Sequence, residues 1–312
     1  MTRVSTASLF SSAVLAINNA QDRLTTAGRQ ANTGKLASDL AGYAPNNEQI
    51  TAARTLQSRI QNHIDAGKVL TSKLDLQDQT LQAVSTAAGD AGKAIRQALA
   101  AGDGSSLITQ LQAALSTSVT ALNTQFNGKY LFAGSQTNTP PVAASQLSDL
   151  TAAGAIGNVF KNDQLAPTSR LDDNTVATTG QVASAVATPL YTALQQVEAF
   201  NQGANGPITG TLTAAQTTFL QGIVASFTSA QQTATAAVVQ NGAVQQQLTT
   251  TTDILTKQND TLTGTLSNLT DVDEAKAASD LQLAQFAIQA SAQVFSTLKN
   301  SSLLSLLPNT FN

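Results

Sequence analysis

The chain holds one histidine, His63, and no cysteine. A metal centre or an acid–base pair built on His63 needs further ligands or a carboxylate beside it. Its neighbours Ile60, Ile64 and Gly67 supply none, so His63 reads as an edge or surface residue of a helix. The missing thiols exclude disulfides, thiolate nucleophiles and cysteine-ligated metals. The acidic run Asp271-Val272-Asp273-Glu274 suggests calcium, but a calcium loop needs ligands at alternating positions, a glycine turn and a distal Glu. Acids favoured by the dipole at a helix start are the simpler account. Asp172-Asp173-Asn174 reads as a polar turn, with a weak ion site as its alternative. Gly203, Gly206 and Gly210 are not followed by Gly-Lys-Ser/Thr, so they mark a loop and no phosphate cradle. Arg54 and Arg59 read as solvated charges on the outer face of a long helix, with acidic partners on another subunit as the alternative. No catalytic residue, metal or cofactor is expected, and with no cluster of titratable groups an enzyme is the weakest reading.

The elements that carry these residues show in the apolar spacing. Ala7, Phe10, Val14, Ile17, Leu24 and Ala31 follow a 3,4 pattern through Gln21 and Gly28. The same pattern returns in Ile223, Phe227, Ala230, Ala234, Ala237, Val244, Leu248, Leu255, Leu262, Leu266 and Leu269. Such spacing places side chains on one narrow helical seam. Leu70, Leu74, Leu81, Val84, Ala88, Ala91, Ile95 and Ala98 keep it through Gln77 on a helix expected from Asn47 to about Ala101. A first helix spans 4 to about 36, with Gly34 free to cap its end. Another runs to about Phe126 with Leu107, Leu111, Leu115, Val119 and Leu122 on one face.

Asn127-Gly128 is a hairpin turn signal, followed by a β-like run from Lys129 to Gly134. Weak strand signals lie at 158–160 and 173–177, and a short helix over 181–201 is expected to break near Pro189. The long returning helix covers 211 to about 264. A final helix from about Val272 to Leu307 has an apolar face wider than one stripe, and apolar patches of that size mark interaction sites.

Composition agrees with elongated helices. Charged residues are 11% and aromatics 4%, where charged residues alone usually make up about a quarter. Small side chains bury little area each, so a core built from them stabilises through length. A net charge of -3 gives no basic footprint for nucleic acid, and no run of about 18 apolar residues suggests membrane insertion.

The fold class is therefore mainly α: a folded-back rod of long antiparallel coiled-coil helices with a small β-containing insertion in the middle. Residues 1–40 with 265–312 form a terminal helical assembly domain. Residues 41–134 with 181–264 form a helical rod domain with a hairpin, and 135–180 a small outer insertion.

Three stretches carry a resemblance. They are Met1-Thr2-Arg3-Val4-Ser5-Thr6 with Thr33-Gly34-Lys35, the junction from Asn123 to Gly134, and Asp271-Val272-Asp273-Glu274-Ala275 with Leu281-Gln282-Leu283, 288–294 and Ser302 to Leu307. Together they resemble the bacterial flagellin superfamily. Lys129-Tyr130-Leu131-Phe132-Ala133-Gly134 with Thr137 and Pro140 is most similar to its hook-associated protein 3 branch, the hook–filament junction proteins. The Asp-Asp that usually follows the Thr-Gly-Lys turn is absent, and Leu40-Ala41-Gly42-Tyr43 stands there.

The resemblance implies a structural subunit of the flagellum, an adaptor joining hook to filament that assembles by coupled folding of its terminal helices. It implies a homo-oligomer in a helical tube, neighbours in hook-associated protein 1 and flagellin, and an export chaperone at the C-terminal region. The location implied is extracellular, reached without a cleaved signal peptide. The expected assembly interface is Phe10, Val14, Ile17 and Leu24 with Leu283, Phe286, Ala290, Val294, Phe295 and Leu298. The alternatives are a filament flagellin and, in another class, a coiled-coil signalling rod; the Pro140-Pro141 and β-like middle argue against the rod.

Overall fold

The computed structural model describes residues 2–304, with side chains for 8 and 10–298. It is mainly α. Seven helices are described, α1 (Thr2–Thr33), α2 (Asn47–Ala101), α3 (Leu107–Leu122), α4 (Leu147–Ala152), α5 (Ala183–Gln202), α6 (Ala214–Thr270) and α7 (Glu274–Leu304). Two antiparallel pairs of short strands lie between them: β1 (Gln125–Phe126) with β2 (Lys129–Tyr130), and β3 (Thr168–Arg170) with β4 (Val176–Thr178). The chain forms two compact units, 1–59 with 258–312 and 60–257.

In the second unit the expected seams are the buried ones. Leu74, Leu81, Val84, Ala88, Ala91, Ile95 and Ala98 are buried on α2, facing Phe227, Ala230, Ala234, Ala237 and Leu248 on α6. The helices run antiparallel: Ser85 Oγ lies 2.9 Å from Thr235 Oγ1, and a Cβ on Gly92 would meet the Phe227 side chain. Gln77, which interrupts the α2 seam, is buried opposite Asn241, which fills the gap between Ala237 and Val244. Gln77 Nε2 donates to Asn241 Oδ1 at 3.0 Å, and Asn241 Nδ2 donates to the Leu74 carbonyl at 2.9 Å. Leu107, Leu111, Leu115 and Leu122 of α3 close the same core with α5.

Several expectations need correction. Helix α5 runs through Pro189 unbroken. The lost N–H costs one hydrogen bond, and burial of Val186, Leu190, Tyr191, Leu194 and Val197 holds the helix against that cost. The strand after Asn127-Gly128 stops at Tyr130, because Leu131, Phe132 and Ala133 all enter the core in succession where a strand would alternate faces. Residues 156–159 form a 3-10 turn, leaving Phe160 in a single bridge to Val142. At 173–175 the chain turns, as Asp172 Oδ1 accepts from the N–H groups of Asn174 and Thr175 at 2.8 and 2.7 Å. Only 176–178 is strand. Helix α6 passes Gly264 and ends at Thr270.

In the first unit α1 pairs with α7. Gly34 stands just past α1 at φ +66°, its N–H bonded to the Gln30 carbonyl at 2.9 Å, a left-handed cap that favours glycine. A 3-10 turn over 40–46 leads into α2, and Tyr43, Ile50 and Leu266 form a small core.

Candidate assembly surface

The terminal helices expose what a pair of helices cannot cover. Along α1 the buried positions are Ala13, Ala20 and Ala27, with Ile17 and Leu24 half-buried between them. The second track is thus rotated by one residue from the expected Val14, which is exposed. Larger Val14 leaves the seam because small alanines let the backbones approach. On α7 Ala277, Leu281, Ala284, Ile288, Ser291, Phe295 and Leu298 form the covered or half-covered seam. The rings of Phe10 and Phe295 meet at 5.0 Å between centroids, tilted by 45°, a geometry that favours aromatic pairs.

The ten expected interface residues therefore divide. Phe10, Ile17, Leu24, Phe295 and Leu298 lie along the α1–α7 seam. Val14 is exposed on α1, and on α7 Leu283, Phe286 and Val294 are 64%, 71% and 55% exposed, with Ala290 exposed between them. At spacings of three and four they make a second apolar stripe on α7. A cleft of about 450 Å³ between the helices is lined by Asp22, Arg23, Ala27, Asp280 and Leu283. The side chains of Met1–Thr6 and Ser302–Leu307, and any helix beyond Leu304, lie outside the described residues.

At one end of the pair the segment after α1 meets the segment before α7. The Leu36 N–H donates to the Thr270 carbonyl at 2.8 Å and the Val272 N–H to the Gly34 carbonyl at 2.9 Å. Lys35 Nζ donates to Asp271 Oδ1. Ser267 Oγ and Thr270 Oγ1 donate to the same carboxylate at 2.6 and 2.7 Å. Lys35 first, then Ser267 and Thr270, hold the Asp271 carboxyl down at about 2. Tyr43 Oη donates to the Ala37 carbonyl at 2.8 Å. Asp273 serves α7 as an N-cap, its Oδ1 accepting from the Lys276 N–H at 3.1 Å, as expected of an acid there. Thr33-Gly34-Lys35 and Asp271-Val272-Asp273 stood as separate stretches in sequence; their meeting is new information. Only the opposite charges of Lys35 and Asp271 hinted at it.

His63 Nε2 lies 3.2 Å from Asp173 Oδ1, its side chain largely covered. That partner comes from the β3–β4 turn, 110 residues away, so local sequence could not show it. Arg54 is exposed. Among the described residues no group of three or more His, Asp or Glu is placed to hold a metal ion, and no helix is long and apolar enough to cross a membrane.

Residues 224–307 match the model of the bacterial flagellin C-terminal helical region. Over these residues the chain is similar to flagellins. The match takes in most of α6 and all of α7 up to its described end, including the exposed stripe. The flagellin-like chain also shares its fold with a chain assigned as a flagellar hook-associated protein from Vibrio parahaemolyticus (TM-score 0.56, 14% identity, covering 71% of this chain and 96% of that one). A second fold match is FlgL of Bacillus cereus (TM-score 0.52, 18% identity, 70% and 99%). No curated protein matches the sequence. The sequence likeness to flagellin thus covers 224–307, and the likeness of fold to these two flagellar chains covers about 70% of this chain.

Proposed function

We propose that this flagellin-like structural chain is the adaptor between hook and filament of a bacterial flagellum, of the hook-associated protein 3 type. It works as one of many copies in a helical tube, between hook-associated protein 1 and flagellin, outside the cell. Its terminal helices complete their folding against neighbouring copies, and an export chaperone holds the C-terminal region beforehand. The observation that carries this reading is the stripe of Leu283, Phe286 and Val294, exposed on a helix within the flagellin-matched residues. Covering a side chain the size of Phe286 stabilises by about 2 kcal/mol, so a neighbour that covers the whole stripe supplies what the lone pair lacks. A contact that repeats without closing builds a helical assembly.

Phe286→Asp or Val294→Asp should abolish incorporation into flagella while residues 47–264 keep their native circular dichroism. Normal motility with normal incorporation would overturn the reading. Because the matched region is that of flagellin itself, a filament subunit is the second reading. Immunogold labelling of sheared flagella separates the two: a band at the junction supports the adaptor, and even decoration supports flagellin.

A further inference from the structure

The α1–α7 seam repeats itself. On α1, Phe10, Ile17 and Leu24 recur every seven residues, alternating with Ala13, Ala20 and Ala27. On α7, Leu281, Ile288 and Phe295 recur with the same period, alternating with Ala277, Ala284 and Ser291. A slide of one heptad along the pair again sets large apolar residues against large apolar ones and small against small. Seam packing alone discriminates weakly between these registers; coiled coils commonly assign that choice to a polar or charged contact. None of the described seam residues of this pair is charged.

We propose that the Lys35–Asp271 clasp is the register key of the terminal helix pair. It sits at the end of α1 that faces the start of α7, where the chain leaves both helices. Its ion pair and the two flanking backbone bonds, Leu36 to Thr270 and Val272 to Gly34, join the two segments in one antiparallel alignment. That alignment continues along the pair: a Cβ on Gly28 would lie 3.8 Å from Leu281 Cδ1, and Phe10 meets Phe295 far from the clasp. A one-heptad slide displaces Lys35 from Asp271 by roughly 10 Å at about 1.5 Å per residue, beyond the reach of an ion pair. Ser267 and Thr270 aim the Asp271 carboxylate by hydrogen bonds of their own, so the acceptor is held in place for Lys35. The register does not depend on the flagellar assignment.

The chain has no cysteine, which makes introduced pairs a clean readout. In the full chain, Gly28→Cys with Leu281→Cys reports the native register. Gly28→Cys with Ile288→Cys, and Gly28→Cys with Glu274→Cys, report slides in either direction. With the clasp intact, mild oxidation should close the native pair at least threefold more efficiently than either other pair. Lys35→Glu, which sets two carboxylates against each other, should lower the native yield at least threefold and raise a slid yield by as much. Exchanging the charges, Lys35→Asp with Asp271→Lys, should restore the native preference. Unchanged yields in Lys35→Glu, a fall of all pairs together, or failure of the exchange to restore the preference would each overturn the proposal. The joint fall is what a merely stabilising contact predicts.

Discussion

The α2–α6 pair within 60–257 and the α1–α7 pair carry the same heptad spacing, yet they are held in different ways. The first has its polar contact inside the seam, Gln77 against Asn241, both buried. It is also covered: α3 and α5 join its core, and Phe227, Leu81, Ile95, Leu111 and Tyr191 are fully buried there. The second has its polar contact outside the seam at one end, between half-exposed side chains. Its buried residues are mostly alanines, and its large side chains are half-buried or exposed. Equal spacing therefore does not mean equal stability. A 3,4 pattern says which stripe a helix turns toward its neighbours, and the sizes of the residues on it decide how much free energy that burial yields.

The largest effect expected to separate the two pairs is a cavity. Phe227→Ala removes a fully buried ring from the covered core and should cost about 3–5 kcal/mol in denaturant unfolding. Ile17→Ala truncates a half-buried residue of the terminal pair and should cost well under half as much, because part of that surface is in water already. Equal costs in urea titrations of the two variants would erase the distinction.

A middle-sized effect tests the buried contact. Asn241→Ala leaves Gln77 with no amide partner in a place closed to water, and a buried orphan of this kind costs about 1–3 kcal/mol. Replacing both, Gln77→Leu with Asn241→Leu, removes the need along with the partner and should be near neutral or stabilising. Thermal unfolding of the single and double variants checks both signs. A double variant as damaged as the single one would mean that the amides contribute more than their mutual satisfaction.

What was legible in the sequence follows the same division. Seams of large residues, such as Leu74 to Ala98 on α2 and Leu107 to Leu122 on α3, show through because each side chain states its own burial. Local turn chemistry also shows: Gly34 takes the left-handed position, and Asn127 and Gly128 both have positive φ. The exposed stripe of Leu283, Phe286 and Val294 was visible as an apolar face too wide for one seam. Val14 faces outward and Ala13 fills the seam, since side-chain size points one way and close helix approach the other. Pro189 misled because nothing nearby announces how deeply α5 is buried. Lys35 with Asp271, His63 with Asp173, and Gln77 with Asn241 are partnerships between distant segments. The single charges and amides were in view, but only the folded chain says which meets which.

The smallest effect expected concerns the clasp and pH. Asp271 is held down at about 2 in the folded chain, below the ordinary carboxyl value of 3.8, chiefly because Lys35 and then Ser267 and Thr270 donate to it. A carboxyl whose folded value is depressed adds stability above its unfolded value and loses it as pH falls toward the folded one. The contribution of the clasp should thus be full above about pH 4 and fade between about pH 4 and 2. Since both side chains are about a third exposed or more, solvent screens the pair and its worth is small, under about 1 kcal/mol. Hydrogen exchange in the α1 segment 10–33 reports it best, read at pH 5 and pH 2.5 after correction for intrinsic exchange rates. The parent should lose more protection there than Asp271→Asn does, because the variant has no charge left to lose at that position. Parallel losses in the two proteins would mean that other carboxyls carry the acid response. The terminal pair would then take its order from its seam after all, as the α2–α6 pair takes much of its own.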